Sequence, residues 1–436
     1  MWISQNILQN KILLFVCGLF IVARIGFINY SVGFNSISLP GSDGPEYNSI
    51  AESLYESGTY AHNGRPTASK APTYPLFLYL VYLFFGENNF IAVKIIQIAL
   101  LLITALLFYR IAIIIFNSKE IGITYLFLSS IYPIFVYFSG RFASENLIMF
   151  FVALIFWLLF KYENSRCMFL YILLGISNAL LVFLKPTLIL LSLIIAIRLI
   201  RKGKSFIPYL TLFILSISIV ILPWTIRNYT VFEKNVSLFS LTTHGGKTFW
   251  GANNEIVYSN KIKGKWIDFQ DKDIDWDNEV LDTSIKGRWG GLEEYKVDKE
   301  LYRMAFQWIQ NNPLKFIKLI PYKIIRFLDF DQHSYQADSK LKKMIGFFTV
   351  LPLLLLYFIG NFFIIKNKNL NIDSKKIIFI NLYLLSLLVG VIIFYGDIRQ
   401  RIPFENFILI YASYALDRIA VYCKSTMEKY RNSSLL

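Results

Sequence analysis

Cysteine and histidine are scarce in this chain. Three cysteines, Cys17, Cys167 and Cys423, and three histidines, His62, His244 and His333, are spread over 436 residues. The cysteines show no paired or metal-ligand spacing, which excludes a disulfide framework and a zinc site and leaves them as small apolar filler. A phosphate-cradling glycine loop, a nucleophile elbow and a His-Glu-x-x-His pair are also missing, so nucleotide hydrolysis and protease chemistry have no local support. No repeat of fixed period runs through the chain, which argues against an inverted-repeat transporter. Acidic residues are outnumbered, 29 to 44, giving a net charge of +15. In a soluble protein that excess would point to nucleic acid. Here the Lys and Arg clusters sit between apolar blocks, where the positive-inside rule expects them, and nucleic acid is not an expected partner.

What the chain has is apolar length. Hydrophobic residues make up 55% and aromatic residues 17%, and the apolar residues fall in blocks of the length that crosses a bilayer. The class is an all-α polytopic membrane protein. Ten blocks are expected to span: about 12–30, 90–116, 121–139, 146–161, 168–184, 187–200, 206–223, 344–365, 377–395 and 402–421. The first apolar run, Ile12 to Phe34, is longer than a signal core and is followed by no small-x-small cleavage site, so it reads as an uncleaved span. Three regions follow: an N-terminal transmembrane module, 1–223, of about seven spans; an extracytoplasmic region, 224–340; and a C-terminal module, 341–436, of about three spans with a basic cytoplasmic tail.

The connections orient the bundle. With a cytoplasmic N-terminus, the inner connections hold Lys119, Lys161, Arg166, Arg201, Lys202 and Lys204, and the outer ones only Arg141 and Lys185. The first polar loop, 31–89, is then outside. Within it, Tyr47, Ile50, Ala51 and Leu54 recur at helical spacing, predicting an amphipathic surface helix from Pro45 to Ser57. A second, proline-started helix is predicted from Thr73 to Phe85, ending at Gly86. The region from Trp224 to Ser339 is a long outer loop of mixed charge, with turn signals at Gly245-Gly246, Asn253-Asn254 and Gly290-Gly291 and a helix around Glu293 to Gln310.

Charged groups collect on that outer side: Asp43, Glu46, Lys70, Arg141, Glu145, Lys185, Arg227, Arg399 and Arg401. A lone cation at a span end is ordinarily a snorkelling anchor. Outer loops are expected to be poor in Lys and Arg, yet nearly every short one here contributes one, and an anionic ligand such as a lipid phosphate explains the set. Asp43 lies in a turn before the first surface helix, where its carboxylate can cap that helix or point into a cleft. Glu145, at the outer start of the fourth span, can begin a helix or act as a second acid that orients an acceptor or holds a divalent metal. The three histidines lack motif spacing and read as turn residues, with a metal-ligand role open to one of them.

The order of motifs resembles a known family. It runs Asp43-x-x-x-Tyr47-x-x-x-Ala51, then Lys70-Ala71-Pro72-Thr73-Tyr74-Pro75, then Tyr132-Pro133 and Ser144-Glu145, then Pro223-Trp224-Thr225-Ile226-Arg227-Asn228, with Asp397-Ile398-Arg399-Gln400-Arg401-Ile402-Pro403 near the end. This is similar to the GT-C fold membrane glycosyltransferases, in the branch of the protein O-mannosyltransferases and the aminoarabinose transferases of lipid A. The resemblance implies a polyprenyl-phosphate sugar donor, inverting transfer to a hydroxyl acceptor, a catalytic acid at Asp43, and Lys70 near the donor phosphate. Tyr47, Tyr74 and Asn228 belong to the same motifs and are expected to line the substrate site. Two departures stand out: Glu145 is a single acid where better-known members have a pair, and Ser69, not an acid, precedes Lys70. A divalent metal therefore has no assigned ligand set.

Elementary chemistry leads to the same roles. A lipid-phosphate leaving group needs cations, for which Lys70, Arg227, Arg399 and Arg401 are candidates, and the attacking hydroxyl needs a carboxylate on the opposite face, for which Asp43 is the candidate. Two alternatives remain: a flippase or exporter of lipid-linked sugars, which would place ionisable groups deep in its spans, and an oligosaccharide polymerase or ligase using a diphosphate carrier, which has a similar topology.

Overall fold

The computed structural model describes residues 2–31, 33–37, 43–259, 263–267, 294–329, 340–366 and 373–433. Gly41-Ser42, Gly290-Gly291 and His333 lie outside them. Among the described residues the regular structure is helical apart from one two-stranded hairpin, β1 (Ala61–His62) and β2 (Arg65–Pro66). The helices are α1 (Trp2–Ser31), α2 (Gly44–Ser57), α3 (Thr73–Phe85), α4 (Phe90–Phe116), α5 (Lys119–Ile131), α6 (Pro133–Ser139), α7 (Glu145–Lys161), α8 (Met168–Leu184), α9 (Ile189–Ile200) and α10 (Ile207–Val231). They continue with α11 (Gly245–Trp250), α12 (Glu255–Ser259), α13 (Glu294–Asn311), α14 (Pro313–Leu328), α15 (Lys340–Lys366), α16 (Ser374–Ile393) and α17 (Ile398–Ser433).

Local chemistry sets the boundaries. The Asn89 side chain accepts from Ala92 N to start α4, Ser118 Oγ accepts from Ile121 N to start α5, and Asp373 accepts from Lys375 and Lys376 to start α16. Pro133 has no N–H to offer the carbonyl of Ser129, and α5 and α6 meet there at 55°. The freed carbonyls are recovered by a buried cation: Arg24 of α1 donates to Ser129 O at 3.2 Å and Ser130 O at 3.1 Å. The span count of ten is not reached by length and composition. Among the described residues five helices are long and apolar enough to cross a membrane, or six if the bent α5–α6 pair is one span. The reason is local breakage: Lys185-Pro186 separates α8 from α9, and the 17 residues of α8 rise only about 26 Å against a hydrocarbon core of about 30 Å. Helix α10 also runs through Pro223 to Val231, past the expected edge of the outer region.

One apolar core runs through the bundle, from Val16 and Phe20 of α1 to Phe404, Phe407 and Tyr411 of α17. Helix α17 is buried from Arg401 to Ala415, so its first turn is the point where the centre of the bundle meets the end that carries Asp43 and Lys70. A second cluster, in which Tyr47, Tyr74, Leu78 and Tyr82 meet Val93, Phe142 and Leu147, seats the surface helices α2 and α3 on α4 and α7. Burying an aromatic side chain of this kind is worth about 1.5–3 kcal/mol, so the polar loop between α2 and α3 is anchored at both ends.

Candidate active site

Five chain segments converge at one end of the bundle. The first brings Asp43 and Glu46, at the start of α2. Asp43 makes no side-chain cap to that helix; its carboxylate turns outward to two cations. Oδ1 accepts from Lys70 Nζ at 2.8 Å and Oδ2 from Arg399 Nη2 at 2.7 Å. Lys70 follows the β hairpin and also lies 3.3 Å from Glu46 Oε2, while Ser69 Oγ donates to Glu46 Oε1. Arg399, in the first turn of α17, donates through Nε to Glu145 Oε1 at the start of α7. Lys185, at the α8–α9 break, donates from Nζ to the Arg399 carbonyl at 3.0 Å, and Asp397 Oδ1 accepts from Arg399 N at 2.8 Å. Residues far apart in sequence thus form one chain of alternating charge: Glu46, Lys70, Asp43, Arg399, Glu145.

This geometry controls protonation. Burial opposes the charge on Asp43, but Lys70 and Arg399 outweigh it and hold the carboxyl well below the usual carboxylate range. Burial also opposes the charge on Lys70 and on Arg399. Asp43 and Glu46 raise Lys70 above its ordinary value, and Glu145 and Asp43 do the same for Arg399. Among the described residues Lys185 forms no ion pair, and burial pushes it down to about 7 against the pull of Glu145.

The other expected site residues fall into two groups. Tyr47 and Arg141 border the cluster: the Tyr47 ring lies 5.6 Å from Lys70 Nζ, and Arg141 stacks on Tyr137 at 4.0 Å, its charge sensing Arg399 and Glu145. Tyr74 stands behind Tyr47, with ring centroids 4.7 Å apart and its hydroxyl on Gln97 Oε1 at 2.9 Å. Arg227, Asn228 and Arg401 are not brought to Asp43. Arg227 donates to the carbonyls of Thr67 at 2.7 Å and Tyr60 at 2.8 Å, and so braces the hairpin that carries Lys70. Asn228 accepts from Arg227 at 3.1 Å and donates to Ser240 O at 3.2 Å. Arg401 is fully buried, pairs with Glu405 at 2.6 Å, and donates to Phe327 O and Asp329 O, while Tyr132 donates to Glu405 at 2.8 Å. Among the described residues no three His, Cys, Asp or Glu side chains gather as a metal-ligand set; the acids of the cluster face cations instead.

Several partners had no signal in the sequence. Tyr60 donates to the Lys70 carbonyl at 2.9 Å. Glu294, the first residue of α13, accepts from Thr67 Oγ1 at 2.7 Å, Ala68 N at 2.6 Å and Thr243 Oγ1 at 2.7 Å. Its separation from Thr67 in the chain is 227 residues, beyond any spacing rule.

Residues 69–225 match the family described as dolichyl-phosphate-mannose-protein mannosyltransferase, a segment that starts at Ser69 and includes Lys70, Glu145 and Lys185. No curated protein matches the sequence. Among solved structures, the chain is similar to the archaeal oligosaccharyltransferase AglB from Archaeoglobus fulgidus in complex with an inhibitory peptide and a dolichol-phosphate. That likeness has a TM-score of 0.51 at 13% identity and covers 100% of this chain and 52% of the other. The apo form of the Archaeoglobus fulgidus oligosaccharyltransferase gives 0.53 at 12% identity, covering 98% and 52%. ArnT from Cupriavidus metallidurans bound to undecaprenyl phosphate gives 0.42 at 11% identity, covering 94% and 78%. The chain spans about half the length of the oligosaccharyltransferase structures it matches. In fold, the chain is similar to these archaeal oligosaccharyltransferase structures.

Proposed function

We propose that the chain is an inverting glycosyltransferase that moves a sugar from a polyprenyl-phosphate carrier to a hydroxyl acceptor at the outer face of a bacterial cytoplasmic membrane. The observation that carries this reading is Asp43 held between Lys70 and Arg399, 2.8 and 2.7 Å away, at the outer end of a membrane bundle. A carboxylate between two cations is a resting site for a reaction that brings its own anion. The donor phosphate competes for Lys70 and Arg399, and as they turn to it Asp43 loses the charges that depress its proton affinity. Asp43 then takes the proton of the acceptor hydroxyl as that oxygen attacks the anomeric carbon. The bond from that carbon to the phosphate oxygen breaks, and its electron pair stays on the phosphate, neutralised by Lys70 and Arg399. Glu145 keeps Arg399 positioned throughout. The chemistry runs at the membrane boundary, so the lipid tail stays in the bilayer. The sugar meets the loops that carry Ser69 and Lys70.

The outward orientation rests on the Lys and Arg content of the opposite connections, where Lys119, Lys161, Arg166, Arg201, Lys202 and Lys204 collect. The test is a transfer assay on the purified protein in lipid nanodiscs, with undecaprenyl monophosphate-linked and diphosphate-linked sugars as donors and envelope glycolipids and peptides as acceptors. Release of undecaprenyl phosphate from the monophosphate donor, lost in Lys70→Ala and Arg399→Ala, is the expected result. Turnover of diphosphate donors alone would shift the reading to an oligosaccharide ligase.

A further inference from the structure

Beyond the charged cluster, the outer region contributes a bend, residues 243–247, formed by Thr243, His244 and the first turn of α11, that is clasped to the loop bearing Lys70. The clasp has three parts. Thr243 N donates to Ala68 O at 3.0 Å. The Glu294 carboxylate takes Thr67, Ala68 and Thr243 together, at 2.7, 2.6 and 2.7 Å. Gly246 N donates to Asp298 Oδ1 at 2.6 Å, and a Cβ on Gly246 would meet the Asp298 carbonyl at 2.0 Å, so only glycine lets the bend lie this close to α13. The bend is thus fixed on both sides.

His244 sits on that bend, one residue from the bond to Ala68 and so beside the segment that leads into Lys70. Its side chain is half-buried, and among the described residues its ring has no hydrogen-bond partner. Burial, together with the charges of Lys70 and Lys247, holds the imidazole well below its usual range, against the opposing pull of Asp43. At neutral pH it is therefore uncharged, with one ring N–H to give and one ring nitrogen to accept. A neutral donor–acceptor pair beside a phosphate-binding lysine and a carboxylate base suits a sugar hydroxyl, which both gives and accepts hydrogen bonds. An ionised phosphate, which only accepts, would use the N–H and leave the accepting nitrogen without a partner.

We infer that His244 contacts the hydroxyls of the donor sugar, and that the clasped bend 243–247 is the wall that distinguishes a sugar-bearing carrier from the bare lipid phosphate. This rests on the proposed polyprenyl-phosphate donor. The experiment compares two ligands on the full chain in nanodiscs: undecaprenyl phosphate, and undecaprenyl phosphate carrying glucose, mannose, galactose or aminoarabinose. The wild type is expected to bind at least one glycosylated form about five- to tenfold more tightly than the bare phosphate, the scale of one hydrogen bond. In His244→Ala that preference is expected to vanish while bare-phosphate affinity stays within about twofold; His244→Gln, which keeps a donor and an acceptor, is expected to restore part of it. A preference retained in His244→Ala, or equal weakening of both ligands, would overturn the inference, as would a wild type with no sugar preference. A wild type that binds neither lipid would instead overturn the donor assignment itself, and this inference with it.

Discussion

Replacing Asp43 by Asn separates a base from an anchor, because the two roles move affinity in opposite directions. Asn cannot accept the acceptor's proton, and loss of a positioned base costs about 10²–10⁴-fold in rate, roughly 2.7–5.4 kcal/mol of barrier at about 1.36 kcal/mol per tenfold. The same change frees Lys70 and Arg399 from the carboxylate that holds them at 2.8 and 2.7 Å. Charge-assisted bonds of this kind are worth about 1.5–3 kcal/mol, so binding of the lipid phosphate should tighten by about tenfold or more. Folding should tolerate the change, since Lys70 keeps Glu46 at 3.3 Å and Arg399 keeps Glu145; a stability loss of about 1–3 kcal/mol is the expected ceiling. The assay is paired: initial rates of transfer from a labelled undecaprenyl-phosphate sugar, and equilibrium binding of undecaprenyl phosphate to the same preparation. An unchanged kcat would refute the base role. A lost rate accompanied by weaker phosphate binding would refute the competition between Asp43 and the donor for the two cations.

The competition also predicts a split in the pH profile. In the free protein Lys70 and Arg399 hold Asp43 well below the usual carboxylate range, so as pH falls the acid limb of kcat/KM should appear only below that range. The acid limb of kcat, which reports the donor complex, should sit at higher pH, because the phosphate draws the two cations away; coincident limbs would contradict it. Arg401→Met should lower stability by about 3–5 kcal/mol, because it leaves Glu405 charged and fully buried. Thermal unfolding should show most of that loss recovered in the double variant Arg401→Met/Glu405→Leu, and a single variant as stable as the wild type would remove the pair from the core's support.

Much of the fold was legible because membrane helices are written in local pattern. The surface helix expected from Pro45 to Ser57 is α2, Gly44–Ser57, and the one expected from Thr73 to Phe85 is α3 with the same bounds. Hydrophobic spacing and proline-started turns suffice for both. The span count was less legible, because an apolar block does not disclose whether Lys185-Pro186 or Tyr132-Pro133 bends, breaks or shortens it. At the site, the sequence named the charged residues of the outer loops but not their pairing. Arg399 and Arg401 stand two residues apart at the head of one helix, yet one meets Asp43 and the other is sealed in the core with Glu405. Helical geometry turns them to different faces, and only the packing of α17 decides which face is the site. Glu294 was invisible for a similar reason: its partners Thr67 and Ala68 lie 227 and 226 positions away in the chain.

In the proposed mechanism Asp43 shares Lys70 and Arg399 with the donor phosphate and faces the anomeric carbon. A structure of the protein with a non-transferable undecaprenyl-phosphate sugar bound tests it most directly. Phosphate oxygens are expected on Lys70 and Arg399, with the Asp43 carboxylate released from at least one of them and lying on the side of the anomeric carbon opposite the phosphate. A phosphate bound elsewhere, with the Lys70–Asp43–Arg399 bridge intact, would contradict it.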